Sequence, residues 1–445
     1  MNLLLATYSF YPYQWGGTEV YVTGLAKYLN QQGNNVIIIA GTTPEAFINY
    51  PVFYEDEQLK TVQYFFEEIM VVGVIMKNRN TTEIYSKFRA EWAESWIKLL
   101  QLLPVQQWDI LHMHANTAAI GRSLIEAGKQ HSKYIKIVAS YHIPNSCVKG
   151  TLLYGNTNTA CIVKPSVEIC TACSISSKTQ WPIHITKAFS LLIPVIQSEK
   201  WPTSFRLKFL VSQFISGFKS FDAAVDMWQV FSDQIKNILS LNGIPQKKIV
   251  QLRHGVNELF FLNDVQLYQS KSEQVENVFL YVGRFDKFKG FYTLLKSWMS
   301  LPENNTKVLW IMGENQSADP QTEAYIQQAA HRKDINWLGK LPQEKIAGLM
   351  QQAHCAIIPS EWVEIGPLVF HEAIAAGCDV ITTNIGGCRE LADRYSKKSQ
   401  LYEPGNVDQL AKLITDFKYS GSKETPVTQT QHYQKVLQSY QVIVP

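Results

Sequence analysis

Short apolar runs alternate along this chain with segments whose apolar residues recur at helical spacing. "NLLLATYSF" opens with a continuous apolar run, "YPYQWGG" supplies turn residues, and "TEVYVTGLAKYLNQQG" follows. In that third segment Tyr21, Leu25, Tyr28 and Leu29 fall on one helical face, and Gly33 is a natural stop. "NVIIIAG" is then a second continuous run. Two apolar strands joined by a crossover helix predict a parallel sheet covered on both faces. "WDILHMHAN" and "IKIVASYHIP" predict later strands of that sheet, each running into a loop that carries a histidine.

The alternation fails between Pro144 and about Ser220 and resumes at "FDAAVDMWQVFSDQIKNILSLNGIP" and "KIVQLRHGVN". A polar stretch, "DVQLYQSKSEQVEN", reads as a linker. After it strand and helix patterns take strict turns from "VFLYVGR" to "NVDQLAKLITDF", which predicts a second doubly wound parallel sheet. "HYQKVLQSYQVIVP" follows a polar break and reads as helical. The expected architecture is α/β, with two Rossmann-like domains facing across a cleft. Residues 1–256 form the first, with an irregular insertion at 144–220, and 257–277 the linker. Residues 278–425 form the second, and 426–445 a last helix.

Composition narrows the class. A chain of 445 residues is too long for one ordinary core. Hydrophobic residues at 46% and charged residues at 18% describe a globular protein. A net charge of +3, from 41 basic and 38 acidic residues, argues against a nucleic-acid binder. No apolar run is long enough to span a bilayer. The first residues read as a core strand rather than an export signal. With seven cysteines, an odd number, a reducing, cytoplasmic setting is expected.

In paired α/β domains the residues at the carboxyl ends of strands meet ligands. At the first such end stand Gly16 and Gly17, opening a helix, as an anion site or a simple tight turn. "GRFDKFKG" brings Gly283, Arg284 and Lys289 to another, as a phosphate grip or as solvated cations. "MGEN" ends the next strand with Glu314, in ligand contact or merely turning the chain. "EWVEIGPLVFHEAIAAG" predicts a helix over 367–376, with proline at its start and glycine after its end. Glu372 shares its face with Leu368, Val369, Ala375 and Ala376, none of them polar. A carboxylate there needs sugar hydroxyls or an internal salt bridge. Glu364, on the preceding loop, is a second acceptor, and Gly366, Pro367 and Leu368 offer free N–H groups or backbone shape to an anion.

"GGTEVYVTGLAKYLNQQGNNV", "YVGRFDKFKG" and the stretch from "INWLGKL" to "ITTNIGG" resemble the retaining nucleotide-sugar glycosyltransferases of family 4, with the GT-B fold. The resemblance covers about residues 1–145 and 220–415, and its most specific element is the glutamate pair Glu364 and Glu372. It implies that Glu372 binds the donor ribose, Glu364 the transferred sugar, and Arg284 and Lys289 the pyrophosphate. Gly16 and Gly17 would line the phosphate and acceptor side, His142 would face the donor sugar, and the last helix would cross back to the first domain. A hexosyltransferase-like enzyme needing no catalytic metal is implied, acting on a glycan or lipid-linked acceptor. A sugar-nucleotide epimerase or hydrolase on the same fold remains as an alternative, as does a non-catalytic nucleotide-sugar-binding regulator.

The departures lie in the insertion. Cys147, Cys161, Cys170 and Cys173 suit a structural zinc site, free thiols or disulfides. Residues 181–220 set five Lys or Arg against one Glu among many aromatic residues. They read either as a helical hairpin packed on the first domain or as a contact with an anionic membrane surface.

Overall fold

The computed structural model describes residues 1–13, 16–77, 90–116, 120–198, 200–262, 277–303, 306–315 and 320–444. Fifteen strands fall into two sheets. The first holds β1 (Asn2–Thr7), β2 (Asn35–Gly41), β3 (Val52–Glu55), β4 (Leu59–Phe66), β5 (Ile69–Met76), β6 (Ile110–Met113), β7 (Lys136–Ser140), β8 (Met227–Val230) and β9 (Ile249–Gln251). Their order is β3-β4-β5-β2-β1-β6-β7-β8-β9. The second holds β10 (Asn277–Val282), β11 (Lys307–Met312), β12 (Ile335–Gly339), β13 (Cys355–Ile358), β14 (Asp379–Thr383) and β15 (Ser399–Tyr402). Its order is β12-β11-β10-β13-β14-β15, parallel throughout.

The first sheet departs from a purely parallel one. β4 pairs antiparallel with both β3 and β5, and β5 then joins β2 in parallel. Central strands are buried on both faces, as their unbroken apolar runs require: Leu3, Leu4 and Leu5 of β1 are wholly inaccessible. Strand order reverses beside β1 in the first sheet and beside β10 in the second, so both loops that follow open at a switch point.

The insertion is helical, with helices at Val167–Thr179, Ile183–Leu192 and Leu207–Ala224. Phe218 and Phe221 of the third bury into the first domain's core. Most of the expected linker, residues 263–276, lies outside the described residues. Ahead of it Phe260 packs into the second domain's core.

The chain passes between the domains twice at one place. Val256 N–H donates to Val427 O at 2.9 Å and Gln429 N–H donates to Val256 O at 2.7 Å. The last helix, Gln429–Ile443, then packs its Tyr433, Val436 and Tyr440 against the helix Gly17–Gln31 and the first sheet. Across the seam, Glu390 of the second domain accepts from the N–H of Asp233 at 2.8 Å, capping the first-domain helix Asp233–Leu241.

Gly24 is where the first and last helices press closest. A Cβ there would stand 2.4 Å from Tyr433 Oη, which donates to Tyr21 O at 3.0 Å and accepts from Gln429 Nε2 at 2.9 Å. Gly24→Ala is therefore expected to destabilise the fold by about 1–2 kcal/mol in urea unfolding, despite alanine's roughly 1 kcal/mol helix advantage.

Candidate active site

A cavity of about 800 Å³ lies between the carboxyl ends of the two sheets. Its first-domain wall includes Gly16, Gly17, Glu19, Tyr21 and His142; its second-domain wall includes Arg284, Lys289, Glu314, Glu364, Gly366, Pro367 and Leu368. Two helices aim their first turns into it. One is Gly17–Gln31; the other is Leu368–Ala375, with Pro367 as its N-cap. Their starts nearly touch, since a Cβ on Gly17 would lie 3.6 Å from Leu368 Cδ1. First-turn N–H groups have no partner within a helix, so the two starts together form an electropositive throat.

The cations are held by acids. Lys289 Nζ donates to Glu364 Oε1 at 2.8 Å, and Ser360 Oγ donates to the same oxygen at 2.6 Å. Burial pushes the Glu364 carboxyl up, but the charge and hydrogen bonds of Lys289, with Ser360, win and hold it below its ordinary value. Glu364 is therefore ionised and fixes Lys289 in the cavity wall. Arg284, whose side chain is half exposed, reaches Asp286 Oδ2 from Nε at 3.3 Å, leaving most of its guanidinium to the cavity. The loop is set by Gly290, at φ +63, where a Cβ would fall 1.7 Å from Pro359 O.

Glu372 is different. It sits one turn beyond Leu368 on the same face, partly buried, and is not among the residues walling the cavity. Among the described residues no cation pairs with it, and burial pushes its carboxyl up to about 7. Gly283 is likewise not among the lining residues, although Val282 and Arg284 on either side of it are. Its carbonyl would lie 1.9 Å from a Cβ on Gly313, whose φ is +143.

His142 Nε2 lies 3.1 Å from His114 Nδ1, and its ring packs on Tyr21 and Phe231. Burial, then the neighbouring His114, lowers its pKa well below the ordinary imidazole value, so it is neutral. Glu314 pairs with Lys340 at 3.0 Å, and both line the cavity. Lys340, Glu19 and His254 are wall residues that sequence reasoning did not single out. Glu19 closes the quoted "GGTE" motif and accepts from Ser9 Oγ at 2.7 Å. Lys340 and His254 lie just past the ends of β12 and β9, at strand ends of the kind that meet ligands.

The four insertion cysteines do come together, lining one small cavity of about 50 Å³. They are free thiols, and among the described residues no three His, Cys, Asp or Glu side chains are arranged to hold a metal ion. An all-sulfur set suits zinc, which binds thiolates. Burial raises the Cys161 and Cys170 thiols, Cys170 up to about 12.

Residues 15–164 match Glycosyltransferase Family 4, and residues 265–430 match Glycosyl transferases group 1. The chain is built as a GT-B glycosyltransferase of family 4 type. Spore coat protein SA of Bacillus subtilis is 27% identical over 154 residues, 33% of this chain and 41% of that protein. The chain spans less than half the length of the curated relatives it matches. Among solved structures, a glycosyltransferase from Rickettsia africae superposes with a TM-score of 0.60 at 18% identity, covering 99% of this chain and 98% of that one. Anabaena HepE in complex with UDP gives 0.58 at 13% identity, covering 100% and 97%. At these identities the likeness establishes the fold.

The raised carboxyl of this GT-B chain has a definite pH signature. Between about pH 4.5 and 7 an unfolded Glu372 is ionised while the folded one keeps its proton, so stability falls as pH rises through that window and levels off above it. Glu372→Gln is expected to unfold like wild type near pH 4.5 and to be more stable at pH 8, by up to a few kcal/mol, on the order of 3 at most. Urea unfolding of both proteins at the two pH values checks this.

Proposed function

We propose that the chain transfers a sugar from a nucleotide-sugar donor bound in the interdomain cavity to a glycan or lipid-linked acceptor, in polysaccharide or glycoconjugate biosynthesis. The observation that carries this reading is the convergence of two helix starts, Arg284 and the Lys289–Glu364 pair on one cavity at the switch points of both sheets. A diphosphate fits the throat and the cations. The Anabaena protein of the same fold, seen in complex with UDP-glucose, supports a nucleotide-sugar in that place.

In this reading the leaving diphosphate gains negative charge as its bond to the sugar breaks. Arg284, Lys289 and the N–H groups at Leu368 and Val369 stabilise that charge more in the transition state than before it. Glu364 holds Lys289 in position and accepts from the sugar's hydroxyls, and Glu372 accepts from the ribose diol, whose hydroxyls give its carboxylate the partners it lacks. His142, being neutral, hydrogen-bonds the sugar and supplies no charge. Retention of configuration and catalysis without a metal belong to the same proposal.

A thermal-shift titration with UDP, GDP and ADP tests the reading. One nucleotide family at about 100 times its dissociation constant should stabilise wild type by about 2.7 kcal/mol, and Glu372→Ala should lose most of that shift. An Ala variant that responds as wild type does would make the glutamate structural. With the donor so identified, Arg284→Ala and Lys289→Ala are each expected to lower turnover by about 10²–10³-fold, read as release of nucleotide diphosphate over many turnovers.

A further inference from the structure

The helix Ile183–Leu192 is packed inside out. Thr186 and Ser190, four residues apart, are fully buried, while Ile185, Phe189 and Leu192, at the spacing of one helical stripe, face solvent. Phe189 is 49% exposed and Leu192 81%. A surface helix ordinarily does the reverse. Burial of the two hydroxyls is inexpensive because each is satisfied within the helix: Thr186 donates to Ile183 O at 3.1 Å and Ser190 to Lys187 O at 2.8 Å. The orientation is also pinned from outside, since Lys208 Nζ donates to Ser190 O and Ile193 O, both at 3.2 Å.

The exposed stripe continues into its flanks. Trp181 precedes it, and Trp201 and Phe205, with ring centroids 5.6 Å apart, follow it, each about half exposed. Charge around this patch is mainly positive. From Val167 to Ala224 the sequence carries six Lys or Arg (Lys178, Lys187, Lys200, Arg206, Lys208, Lys219) and three acids, Glu168, Glu199 and Asp222. Of these, Lys178, Lys187, Lys200 and Lys219 are exposed.

We propose that this face docks on an anionic lipid bilayer. An apolar helical stripe flanked by tryptophans and rimmed by lysines lies well in the headgroup boundary, where indole rings bridge apolar and wet layers and lysines meet anionic headgroups. A second copy of this chain is the poorer occupant, because it would bring the same positive rim face to face. No helix among the described residues is long and apolar enough to cross a membrane, so the contact is peripheral. The docking surface stands independently of the donor site.

Flotation with phosphatidylcholine vesicles and with mixed phosphatidylcholine–phosphatidylglycerol vesicles tests it, together with sedimentation velocity. Wild type is expected to float with the mixed vesicles only, less so at high salt. The double variant Phe189→Asp/Leu192→Asp is expected to lose that binding by roughly tenfold or more, with an unchanged melting midpoint since both side chains are exposed. Phe189→Ser/Leu192→Ser replaces it should the aspartates unfold the helix. Lys187→Glu/Lys200→Glu should weaken binding to the mixed vesicles. Wild type that stays unbound, binds neutral and mixed vesicles equally, or forms a dimer that the Phe189/Leu192 variant disperses, overturns the proposal.

Discussion

Tyr21 holds together the parts on which the cavity depends. Its ring, on the first helix, lies within 6 Å of the rings of His142, His254, Phe231, His432 and Tyr433. Its hydroxyl is 2.9 Å from His432 Nε2. These partners come from the end of the first sheet, from the segment leading to the second domain, and from the helix that returns. Aromatic rings in such contact give both packing area and preferred geometry, so the cluster fixes where the domains meet. Its imidazoles are kept neutral by burial, His432 down to about 4 and His254 well below the ordinary value. These rings thus add no positive charge, and among the described residues the cationic side chains of the cavity wall are Arg284, Lys289 and Lys340, beside the helix starts.

Close approach is the second constraint. Gly366 permits it directly: a Cβ there would sit 2.6 Å from His254 Cδ2 of the segment beside the first sheet. The helix Leu368–Ala375 can therefore begin against the first domain, with its N–H groups aimed at the space that Gly17 leaves open. Any side chain at Gly366 would push that helix back and widen the throat. Backbone shape, as much as charge, makes the throat.

Much of this was legible in the chain because burial on both faces leaves continuous apolar runs. β1, β2, β10, β11, β13 and β14 follow from such runs, as do the helix stops at Gly33 and Gly377, whereas the edge strand β15, "SQLY", has no apolar run and is not legible in this way. The antiparallel pair β4 and β5 was not read. "LKTVQYFF" is buried unevenly, and "IMVVGVIM" continues the apolar character without declaring its direction. The insertion was harder for a physical reason. Hydrophobic periodicity places a helix by assuming that its apolar stripe faces inward, and Ile185, Phe189 and Leu192 break that assumption. At the site, two of the strand-end stretches quoted from the sequence also contain Lys340 and His254, which the motif reading passed over. Gly283, named with Arg284 and Lys289 from one motif, is not among the lining residues, although Val282 and Arg284 on either side of it are.

Glu364 and Glu372 show where sequence reasoning reaches its limit. Both are glutamates of one short segment and look alike as candidate acceptors. The fold gives Glu364 a lysine and a serine, so its charge is settled before any ligand arrives. It gives Glu372 neither, and burial raises its carboxyl to about 7. The difference in partners sorts the pair into a fixed anion that positions a cation and a carboxyl whose protonation is open to change. A ligand that donates hydrogen bonds favours the ionised form of Glu372 and lowers its pKa, so binding there is coupled to proton release near neutral pH. An apolar ligand would do the opposite. The apolar stripe on which Glu372 stands therefore sets how its carboxyl answers to any hydrogen-bond donor brought to it.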